Sequence, residues 1–313
     1  MELQLPEGQA AVRLDRLLVE LGLAGSRRQA QKLIERGAIR AGGRRLKKGD
    51  VVGPEDRLEV DQAELGPQVL KANPAIALSV LYADSALVVV AKPGGIPCHP
   101  LNFAEDSTLM NGVVALYPET ASVGFKPLEG GLVHRLDNGS SGAVMVARNL
   151  EALTELRRKL RSGEITRIYE ALVCGRLVEP LEIRTPIAHH PTDPRRMVLL
   201  SEGAKRWRGR PQKALSYVEP VWSGEKYTLV RIKPLTGVRH QIRLHLAGVG
   251  LPLVGDTLYG SAPLPLLAPG RIFLHLRSLA LISPTGAAVD VEAPLPTDLQ
   301  TVLKQLKLMS GDP

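Results

Sequence analysis

The chain has 313 residues, of which 44% are hydrophobic and 23% charged, and its formal net charge is +8. This length and apolar content predict about two folded domains rather than a disordered chain. Two cysteines, and seven histidines without a His-Glu-x-x-His motif, argue against a disulfide framework or a zinc cluster, so we expect no metal. Three Phe, two Trp and six Tyr are too few for an RNA-binding sheet that stacks bases on exposed rings.

Neither a targeting segment nor a membrane span is expected. The N-terminal ten residues lack the basic start and the apolar core of a signal peptide. The longest uninterrupted apolar run, Ala86 to Ala91, is far too short to cross a bilayer. We therefore expect a cytoplasmic protein that does not contact membranes, and we expect it to be a monomer.

The positive charge is concentrated in one short segment, residues 26–48. This segment holds nine basic residues against one acid, Glu35, so its net charge equals that of the whole chain. Such a local surplus is typical of a surface that binds a polyanion, and nucleic acid is the favoured partner. A solvated charged helix face is the alternative, although such faces usually mix both signs.

Residues 12–60, the N-terminal module, predict a small α+β fold. Leucines at helical spacing predict a helix that ends near Gly22. Ser26 then stands where the N-cap of a second helix is expected, with Gly37 as its terminator. Short apolar runs separated by turn residues over 38–60 predict strands. The two helices and the following hairpin would present one basic ridge.

The stretch from residue 13 to residue 52 resembles the small RNA-binding module shared by a ribosomal small-subunit protein and tyrosyl-tRNA synthetases. The resemblance implies contacts with structured RNA from the second helix and from the loop that follows. The residues at those places are Arg27, Arg28, Lys32, Arg44, Arg45 and Lys47.

Beyond this module the pattern changes. Residues 63–78 lack a clear period and contain two prolines, so we interpret them as a linker between an RNA-binding domain (1–62) and a catalytic domain (79–313). The predicted strands include Leu87–Val90, Ala143–Ala147, Tyr169–Val173 and Tyr227–Ile232, and the predicted helices lie near 149–162, 238–247 and 296–308. Strands and helices mix without regular alternation, which predicts an α+β fold with a largely antiparallel mixed sheet and flanking helices.

Three segments carry side chains suited to chemistry. Residues 130–149, GGLVHRLDNGSSGAVMVARN, predict a strand at Leu132 and Val133, a loop, and a second strand. Taken alone, the Asp-Asn-Gly run that begins at Asp137 is ordinary hairpin-turn chemistry. Residues 166–175 predict a further strand, which carries a tyrosine and by itself indicates half-buried packing.

The third segment, residues 236–250, predicts a helix with Arg239 and Arg243 one turn apart on one face. Like charges at this spacing destabilise an isolated helix unless an anion lies opposite them. Arginine suits a bidentate contact with a carboxylate or a phosphate. A basic helix face on the surface is the alternative.

Together these segments resemble the RluA-type family of RNA pseudouridine synthases, from Val80 to about Leu303. HRLDNGSSG is similar to the motif whose aspartate is the catalytic nucleophile, which is Asp137 here. RIYEALVCG is similar to the second motif, so Tyr169 corresponds to the tyrosine beside the target base. TGVRHQIRLHL, followed by GLPLVGDTLYG, is similar to the third motif, whose final arginine, Arg243, pairs with the catalytic carboxylate.

The resemblance implies conversion of uridine to pseudouridine, in which the N1–C1′ bond breaks and the rotated uracil is rejoined through C5. This isomerisation needs no electron carrier, group donor or metal, so we expect no cofactor. Asp137 could attack the ribose or the base, or assist elimination at the sugar, and the residues do not choose between these routes. Arg243 would keep Asp137 ionised, while Tyr169 would stack on the base and is the candidate to remove the C5 proton.

Four further residues are expected to bind the substrate: Arg135, His134, Arg239 and Gln241. Arg135 is expected to hold the displaced stack or a phosphate once the nucleotide is flipped out. We interpret His134 as a structural loop residue rather than an acid, because the mechanism already has its proton acceptor.

The chain departs from the family pattern at four positions. Val238 and Arg239 stand where the family usually has arginine and a threonine-like residue, so one phosphate contact is expected to move by one position. Ser140 replaces a threonine, which keeps the hydroxyl, and Ser283 stands where histidine is common. None of these changes touches the three catalytic residues.

A second basic stretch covers residues 195–213. It holds seven basic residues against Glu202, with Trp207 in its middle. The resemblance implies a hairpin that borders the RNA cleft, so we interpret the stretch as a clamp with Trp207 as a stacking residue; a mobile basic loop is the alternative. The residues expected to contact RNA here are Arg195, Arg196, Arg206 and Arg208.

These observations lead to one main hypothesis and three alternatives. We expect an enzyme that isomerises uridine in structured RNA, with large-subunit ribosomal RNA as the favoured substrate and transfer RNA as the alternative. A non-catalytic RNA-binding factor in ribosome assembly is disfavoured by the intact carboxylate and arginine. A nucleoside hydrolase would need a base that activates water and would not need an RNA-binding module.

Overall fold

The computed structural model describes residues 2–5, 10–24, 27–61, 70–125, 128–200, 206–262 and 264–310. The chain divides into two compact units, Met1–Ala77 with His99–Leu132 and Leu78–Cys98 with Val133–Pro313. Residues 99–132 therefore group with the N-terminal part of the chain, and the unit that carries the catalytic motifs is built from two separate stretches. The domain boundaries 1–62, 63–78 and 79–313 stay a prediction.

The N-terminal module in the first unit is a small α+β fold. Its elements are β1 (Glu2–Gln4), β2 (Val12–Arg13), α1 (Leu14–Glu20), α2 (Arg27–Arg36), β3 (Ile39–Ala41), β4 (Arg44–Arg45), β5 (Val51–Val52) and β6 (Arg57–Val60). Within the described residues, one sheet has the order β1-β6-β3-β4, and β2 pairs with β5. Leu14 and Leu18 of α1 pack with Leu33 of α2 in one core, so both predicted helices are confirmed.

The C-terminal end of α2 follows the turn chemistry of the sequence. Gly37 directly after the helix has φ +78°, a left-handed conformation that favours glycine and ends the helix as predicted. Ser26, the expected N-cap, lies outside the described residues.

The first unit also contains a helix that sequence periodicity does not predict, α3 (Leu109–Leu116), followed by a short 3₁₀ helix (Pro118–Ser122). Thr108 and Asn111 form a capping box at the start of α3. The Asn111 amide also donates a hydrogen bond to the carbonyl oxygen of Lys71, 2.8 Å away, which ties part of the predicted linker to α3.

Within its described residues, the second unit holds the large sheet and three helices. Its strands are β7 (Ser79–Ala83), β8 (Leu87–Lys92), β9 (Ser141–Ala147), β10 (Thr166–Cys174), β11 (Leu181–Ile183), β12 (Ile187–His189), β13 (Met197–Leu199), β14 (Arg208–Gln212), β15 (Ser216–Ser223), β16 (Tyr227–Pro234), β17 (Leu274–Ile282) and β18 (Ala288–Glu292). Its helices are α4 (Leu150–Ser162), α5 (Gln241–Gly248) and α6 (Thr297–Ser310). The strands predicted at 87–90, 143–147, 169–173 and 227–232 and the three helices predicted in this part of the chain are present.

The large sheet, within the described residues, has the order β11-β15-β16-β10-β17-β9-β8-β7, with β18 also paired to β17. Neighbouring strands are antiparallel except β9 and β17, which run parallel. Leu299, Val302 and Leu306 of α6 pack with Leu172 of β10 and with Phe273 in one core. The predicted α+β fold with a largely antiparallel mixed sheet is confirmed.

Two local expectations are wrong. Leu132 and Val133 do not form a strand. The backbone N–H of Val133 donates to the Met145 carbonyl of β9 (3.1 Å), but the N–H of Met145 bonds to the His134 ring (3.2 Å), so the pairing does not continue. The stretch 195–213 is not one hairpin, because β13 and β14 both pair with β12 in a separate sheet of order β13-β12-β14.

Candidate active site

A loop at residues 134–140, the Asp137 loop, leads directly into β9. Lys92, the last residue of β8, is almost fully buried beneath it. Its ammonium donates hydrogen bonds to the carbonyl oxygens of Asp137 (3.3 Å), Asn138 (3.3 Å) and Ser140 (2.7 Å). Burial lowers the pKa of Lys92 to about 8. The carbonyl oxygens replace the water that burial removes, so the loop and the cation hold each other in place.

Arg271 holds the same loop further along the chain. Its guanidinium donates to the Gly139 carbonyl oxygen (2.6 Å) and to the Ser141 hydroxyl (2.9 Å), and it is paired with Asp298 at 2.6 Å. A Cβ on Gly139 would collide with the carbonyl oxygen of Gly270, so this close approach requires glycine. Two buried cations therefore fix the backbone from Asp137 to Ser140.

Asp137 shares Arg243 with a second carboxylate, the buried Asp256. Arg243 Nη1 lies 2.8 Å from Asp137 Oδ2, while Nε and Nη2 form a bidentate pair with Asp256 at 2.6 and 2.7 Å. Burial disfavours the charged guanidinium, but the bonds to Asp256 and Asp137 outweigh it and raise the pKa of Arg243. The bidentate pair fixes the guanidinium plane and aims its remaining N–H at Asp137.

The helix α5 begins three residues later than predicted. His240 adopts a left-handed conformation with φ 56°, which breaks the helix before it reaches Arg239. The expected common helix face of Arg239 and Arg243 is therefore wrong. Arg239 instead donates hydrogen bonds to the carbonyl oxygens of Pro194 and Arg195, both at 3.0 Å, and so anchors the loop between β12 and β13.

Gln241, expected to bind the substrate, is part of the lining of a cavity that also reaches Asp137, and its role toward the substrate stays a prediction. Its amide nitrogen donates to the Leu215 carbonyl (2.9 Å) and the Ser216 hydroxyl (3.0 Å). Its amide oxygen accepts from the Thr236 hydroxyl (2.7 Å) and the Val238 backbone N–H (3.1 Å). Gln241 is 4% exposed and its amide is bonded to protein groups, so it fixes the turn before α5.

A cleft of about 270 Å³ brings together the three residues singled out by the motifs. Its lining includes His134, Arg135, Asp137, Tyr169 and Arg243. Burial raises the pKa of Tyr169, while the charge of Arg167 acts against that shift. The phenol of Tyr169 is therefore protonated at neutral pH, with a cation near it that favours its ionisation.

His134 is a structural member of this cleft. Its Nε2 accepts the backbone N–H of Met145, so in the neutral ring the hydrogen resides on Nδ1. Burial lowers the pKa of His134 to about 3, which keeps the ring neutral.

A second cavity, of about 370 Å³, also reaches Asp137. Three exposed arginines are part of its lining: Arg135, Arg195 and Arg239. Arg135 and Asp137 line both cavities. Cations grouped around an open cavity suit the phosphate of a nucleic acid strand, and guanidinium groups bind phosphate in bidentate fashion.

The arginines of the second basic stretch differ in their contacts and in their exposure to solvent. Arg195 forms an ion pair with Asp193 in its own loop, and the Arg196 guanidinium lies 5.9 Å from the centre of the Tyr259 ring. Arg206 and Arg208 are exposed, as is Trp207 between them, with 43% of its surface accessible.

The basic residues of the N-terminal module lie on its surface. Every residue expected to bind RNA there is at least partly accessible, and the set is Arg27, Arg28, Lys32, Arg44, Arg45 and Lys47. Arg27 also contacts the buried carboxylate of Asp15 at 2.9 Å, and Arg44 approaches Asp50 at 4.0 Å. The buried side of α2, with Ala30, Leu33 and Ile34, turns the charged residues of the helix outward.

Five residues of the site were not singled out by sequence reasoning: Lys92, Asp256, Arg271, His240 and Tyr259. Lys92 begins the run KPGG (92–95), a Lys-Pro-x-Gly turn, while His240, Asp256 and Tyr259 all lie in the two parts of the third motif, so these four offered a signal. Arg271 offered none, because its importance arises from contacts with distant segments.

Within the described residues, no three His, Cys, Asp or Glu side chains form a group that could hold a metal ion. None of the helices in that part of the chain is both long and apolar enough to span a membrane.

Comparison with known proteins matches both parts of the chain to described families. Residues 86–248 match the model of the RNA pseudouridylate synthase family, and residues 12–58 match that of the S4 domain. A relative from Pseudomonas aeruginosa, ribosomal large subunit pseudouridine synthase D, is 33% identical, with 94% of this chain and 92% of the relative covered. An uncharacterized RNA pseudouridine synthase from Chloroflexus aurantiacus is 36% identical, with 96% and 92% covered.

A solved structure, human RNA pseudouridylate synthase domain containing 1, is similar with a TM-score of 0.59 and 27% identity. The match covers 78% of this chain and all of the human one. The chain therefore belongs to the RNA pseudouridylate synthase family and carries an N-terminal S4 domain, so it is an RNA pseudouridine synthase. The resemblance stated from the motifs is confirmed.

Proposed function

We propose that this enzyme isomerises uridine to pseudouridine in large-subunit ribosomal RNA, with Asp137 as the nucleophile and without a cofactor. The printed name of the Pseudomonas aeruginosa relative supports this substrate, since the match extends over both the S4 domain and the catalytic motifs. The observation that carries the chemistry is the carboxylate of Asp137, held by Arg243 at the junction of two cavities.

The ion pair suits a nucleophile. Arg243 contacts one oxygen of Asp137 and takes its own orientation from Asp256, so the carboxylate is held without being enclosed. The side chain of Asp137 is 22% exposed, which leaves it accessible from the cleft. A preorganised carboxylate of this kind does not have to reorganise when the target nucleotide arrives.

The reaction balances within one nucleoside. The N1–C1′ bond breaks, a C5–C1′ bond forms, C5 loses a proton and N1 gains one, so no electron or group leaves the substrate. Asp137 attacks the ribose or the base, or assists elimination at the sugar, and then releases the rejoined product.

Tyr169 has two proposed roles. Burial of its side chain is compatible with one of them and disfavours the other. Its ring lines the cleft, where it stacks against the uracil. As acceptor of the C5 proton it must first lose its own proton, which burial disfavours and the charge of Arg167 favours. Tyr169→Phe separates the roles, because it keeps the ring and removes the hydroxyl. We expect RNA binding to persist and pseudouridine formation to be abolished, as measured by single-turnover assays on bound RNA.

The remaining cations would bind the RNA itself. Arg135 lies at both cavities, where it can replace the flipped base in the stack or hold a phosphate. The exposed arginines of the S4 domain and those near residues 195–208 would add sequence-independent contacts with the phosphate backbone. The domain 79–313 would carry the chemistry, and 1–62 would carry the binding.

The experiment that tests this function is pseudouridine mapping across total RNA from cells with and without the gene. Cells that carry wild-type enzyme or Asp137→Asn on a plasmid provide the matched comparison, because the substitution is isosteric and removes only the charge. We expect sites in large-subunit ribosomal RNA to disappear with the gene and to return only with the wild-type enzyme.

Each other outcome overturns a defined part of the proposal. Loss of sites in transfer RNA alone would replace the substrate and leave the chemistry intact. Restoration of the sites by Asp137→Asn would remove Asp137 as the nucleophile. An unchanged pseudouridine map would favour the non-catalytic assembly factor, and immunoprecipitation of the bound RNA would then identify its partner.

A further inference from the structure

Tyr259 connects β13 to the Asp137–Arg243 pair. Its hydroxyl oxygen accepts a hydrogen bond from the backbone N–H of Met197 (2.9 Å) and lies 2.8 Å from Nδ1 of His240. The guanidinium carbon of Arg243 lies 5.1 Å from the centre of the Tyr259 ring, a cation–π distance. The ring of His240 packs against the same ring edge-on, with centroids 5.6 Å apart. One side chain thus contacts β13, the cation that holds Asp137, and a histidine beside Asp137.

The position of the hydrogens follows from counting donors. A backbone N–H can only donate, so Met197 uses a lone pair of the Tyr259 hydroxyl and leaves its hydrogen for another acceptor. Within the described residues, the other hydrogen-bond partner of this hydroxyl is Nδ1 of His240. If Nδ1 carried the hydrogen instead, the Tyr259 hydroxyl would accept twice and its own hydrogen would have no acceptor among these contacts. We therefore assign Tyr259 as the donor to Nδ1, so that a neutral imidazole carries its hydrogen on Nε2. Burial lowers the pKa of His240 to about 4, which keeps the ring neutral at neutral pH.

Nε2 of His240 faces the oxygen of Asp137 that Arg243 does not hold. The Nε2–Oδ1 distance is 3.7 Å, longer than a hydrogen bond, whereas Arg243 contacts Oδ2 at 2.8 Å. Catalytic hydrogen bonds are often long in the free enzyme and tighten when the substrate binds. A movement of less than about 1 Å would bring Nε2 within hydrogen-bond distance of Oδ1.

The backbone of His240 supports a positioning role. Among the described residues, it is the one non-glycine residue with positive φ. Histidine is among the residue types that tolerate this region, but such a conformation persists only where the surrounding structure holds it. Here the contacts of the ring with Tyr259 hold it, and the conformation places the ring beside Asp137.

We infer that His240 and Tyr259 are positioning residues: Tyr259 selects the Nε2–H form of His240, and His240 orients the second carboxylate oxygen of Asp137. With one oxygen bound by Arg243 and the other directed by a neutral donor, the carboxylate keeps a defined angle toward the reacting carbon. The inference rests on the proposed role of Asp137 as the nucleophile.

The first test reads the tautomer of His240 directly. Two-bond ¹H–¹⁵N correlation spectra of the ¹⁵N-labelled full chain at neutral pH distinguish the Nε2–H from the Nδ1–H ring, and His240→Asn identifies the signals. We expect the Nε2–H pattern in the wild-type protein and its loss or mixing in Tyr259→Phe. An Nδ1–H pattern in the wild type, or an unchanged pattern in Tyr259→Phe, overturns the inference without reference to activity.

The second test separates the rate of reaction from binding, with unmodified large-subunit ribosomal RNA transcript as the probe. Asparagine accepts the left-handed backbone but is too short to bridge Tyr259 and Asp137, so His240→Asn removes the ring with little change in strain. We expect the single-turnover rate to fall about 10- to 100-fold, as small misplacements of reacting groups do, with the RNA dissociation constant unchanged within about twofold. For Tyr259→Phe, which removes one oxygen atom, we expect a smaller fall.

Asp137→Asn distinguishes failure of this inference from failure of the proposed function. If Asp137→Asn forms pseudouridine, Asp137 is not the nucleophile, and the positioning role proposed for His240 and Tyr259 is wrong as well. If Asp137→Asn is inactive while His240→Asn reacts at the wild-type rate, only the positioning role is wrong. Should His240→Asn melt at a clearly lower temperature than the wild type, Tyr259→Phe and the tautomer spectra decide the question.

Discussion

The S4 domain and the catalytic cleft both depend on arginine, but they use it in opposite ways. In the S4 domain, Arg28, Arg44 and Arg45 are exposed. In the cleft, Arg243 and Arg271 are only 7% and 5% exposed, and each is fixed by a carboxylate. Exposed charges act on a polyanion over roughly the Debye length and weaken as salt is added, whereas buried charges act on particular atoms.

This difference shows why net charge identifies the partner of the protein but not its reaction. The surplus of the S4 segment is present in the total of +8 because few acids accompany it. The charge of Arg243 is cancelled in that total by the carboxylates it binds, Asp137 and Asp256. An arginine that is buried and paired with carboxylates can orient a reacting group, but the same carboxylates cancel its contribution to the net charge.

The largest effect should come from removing the buried arginine. Arg243→Met leaves Asp137 and the buried Asp256 without their common cation. We expect the free energy of unfolding to fall by about 3–5 kcal/mol, the usual loss when one partner of a buried pair is removed. We expect the single-turnover rate to fall by at least about 10²- to 10³-fold. Urea denaturation and pseudouridine formation on bound RNA measure the two losses.

The matched control is Arg277→Met, which breaks the partly exposed pair of Arg277 with Glu292. We expect a loss below about 1 kcal/mol and an unchanged rate. Similar losses in the two variants would contradict the distinction between buried and exposed arginines.

A second prediction uses pH, because the histidines belong to only one of the two regions. Residues 1–62 contain no histidine, whereas burial lowers the pKa of His134 to about 3 and of His240 to about 4 in the cleft. Below the unfolded value of about 6.5, the unfolded chain binds protons that the folded cleft excludes. The stability of the cleft is therefore complete above pH 6.5 and is lost as the pH falls from about 6.5 toward 4.

Each such imidazole should contribute a slope of up to about 1.4 kcal/mol per pH unit in that window. Urea denaturation of the full chain between about pH 7 and pH 5 measures it, with His240→Asn as the control that should flatten the slope. The S4 domain should keep its stability over the same window. A flat stability profile in the wild-type protein would show that these rings are not held neutral.

A third prediction concerns the exposed arginines as a group. Replacing Arg28, Arg44, Arg45 and Lys47 by glutamine should weaken RNA binding and lower the slope of log K against log salt. The decrease should be about 0.7–0.9 for each phosphate that is no longer neutralised, and the rate at saturating RNA should not change. Filter binding over a range of salt concentrations measures the slope. Arg57→Gln, an exposed change outside the basic segment of the same domain, should leave the slope unchanged.

The strands and helices with strong periodicity were predictable from sequence, and so was the coarse site. β8, β9 and α4 consist of apolar runs or helical repeats bounded by clear turn residues, so their positions depend on local chemistry. The helix α3 was missed because its run contains glycine and β-branched residues, and because its start depends on the capping box of Thr108 and Asn111.

The finer part of the site was not predictable, because it depends on contacts between distant segments. Lys92 reaches carbonyl oxygens more than 40 positions away, and Tyr259 receives a hydrogen bond from a strand 62 positions earlier. Helical spacing predicts Arg239 beside Arg243 on one helix face. One left-handed residue, His240, shifts the start of α5, so Arg239 lies outside the helix and bonds to the loop between β12 and β13 instead. A local pattern contains no information about such a backbone angle.

The smallest predicted effect is a difference between two neighbouring exposed arginines of the S4 domain, Arg27 and Arg28. Both are exposed, but Arg27 contacts the fully buried side chain of Asp15, which also accepts hydrogen bonds from Arg13 and Gln31. The bond from Arg13 is the largest contribution that holds the pKa of Asp15 below its usual range, and the bond from Arg27 adds to it. Because of this ion pair we expect Arg27 to contribute more to the stability of the domain, and Arg28 more to RNA binding.

Arg27→Gln should lower the free energy of unfolding by about 1–2 kcal/mol, because the remaining partners satisfy Asp15 only in part. It should change the salt slope of RNA binding little, since that charge is already compensated. Arg28→Gln should do the reverse: stability within about 0.5 kcal/mol of the wild type and a salt slope lower by about 0.7–0.9. Two adjacent arginines of equal charge would then differ only in what they touch. If both variants reduce the salt slope equally, Arg27 neutralises an RNA phosphate despite its contact with Asp15, and the prediction is wrong.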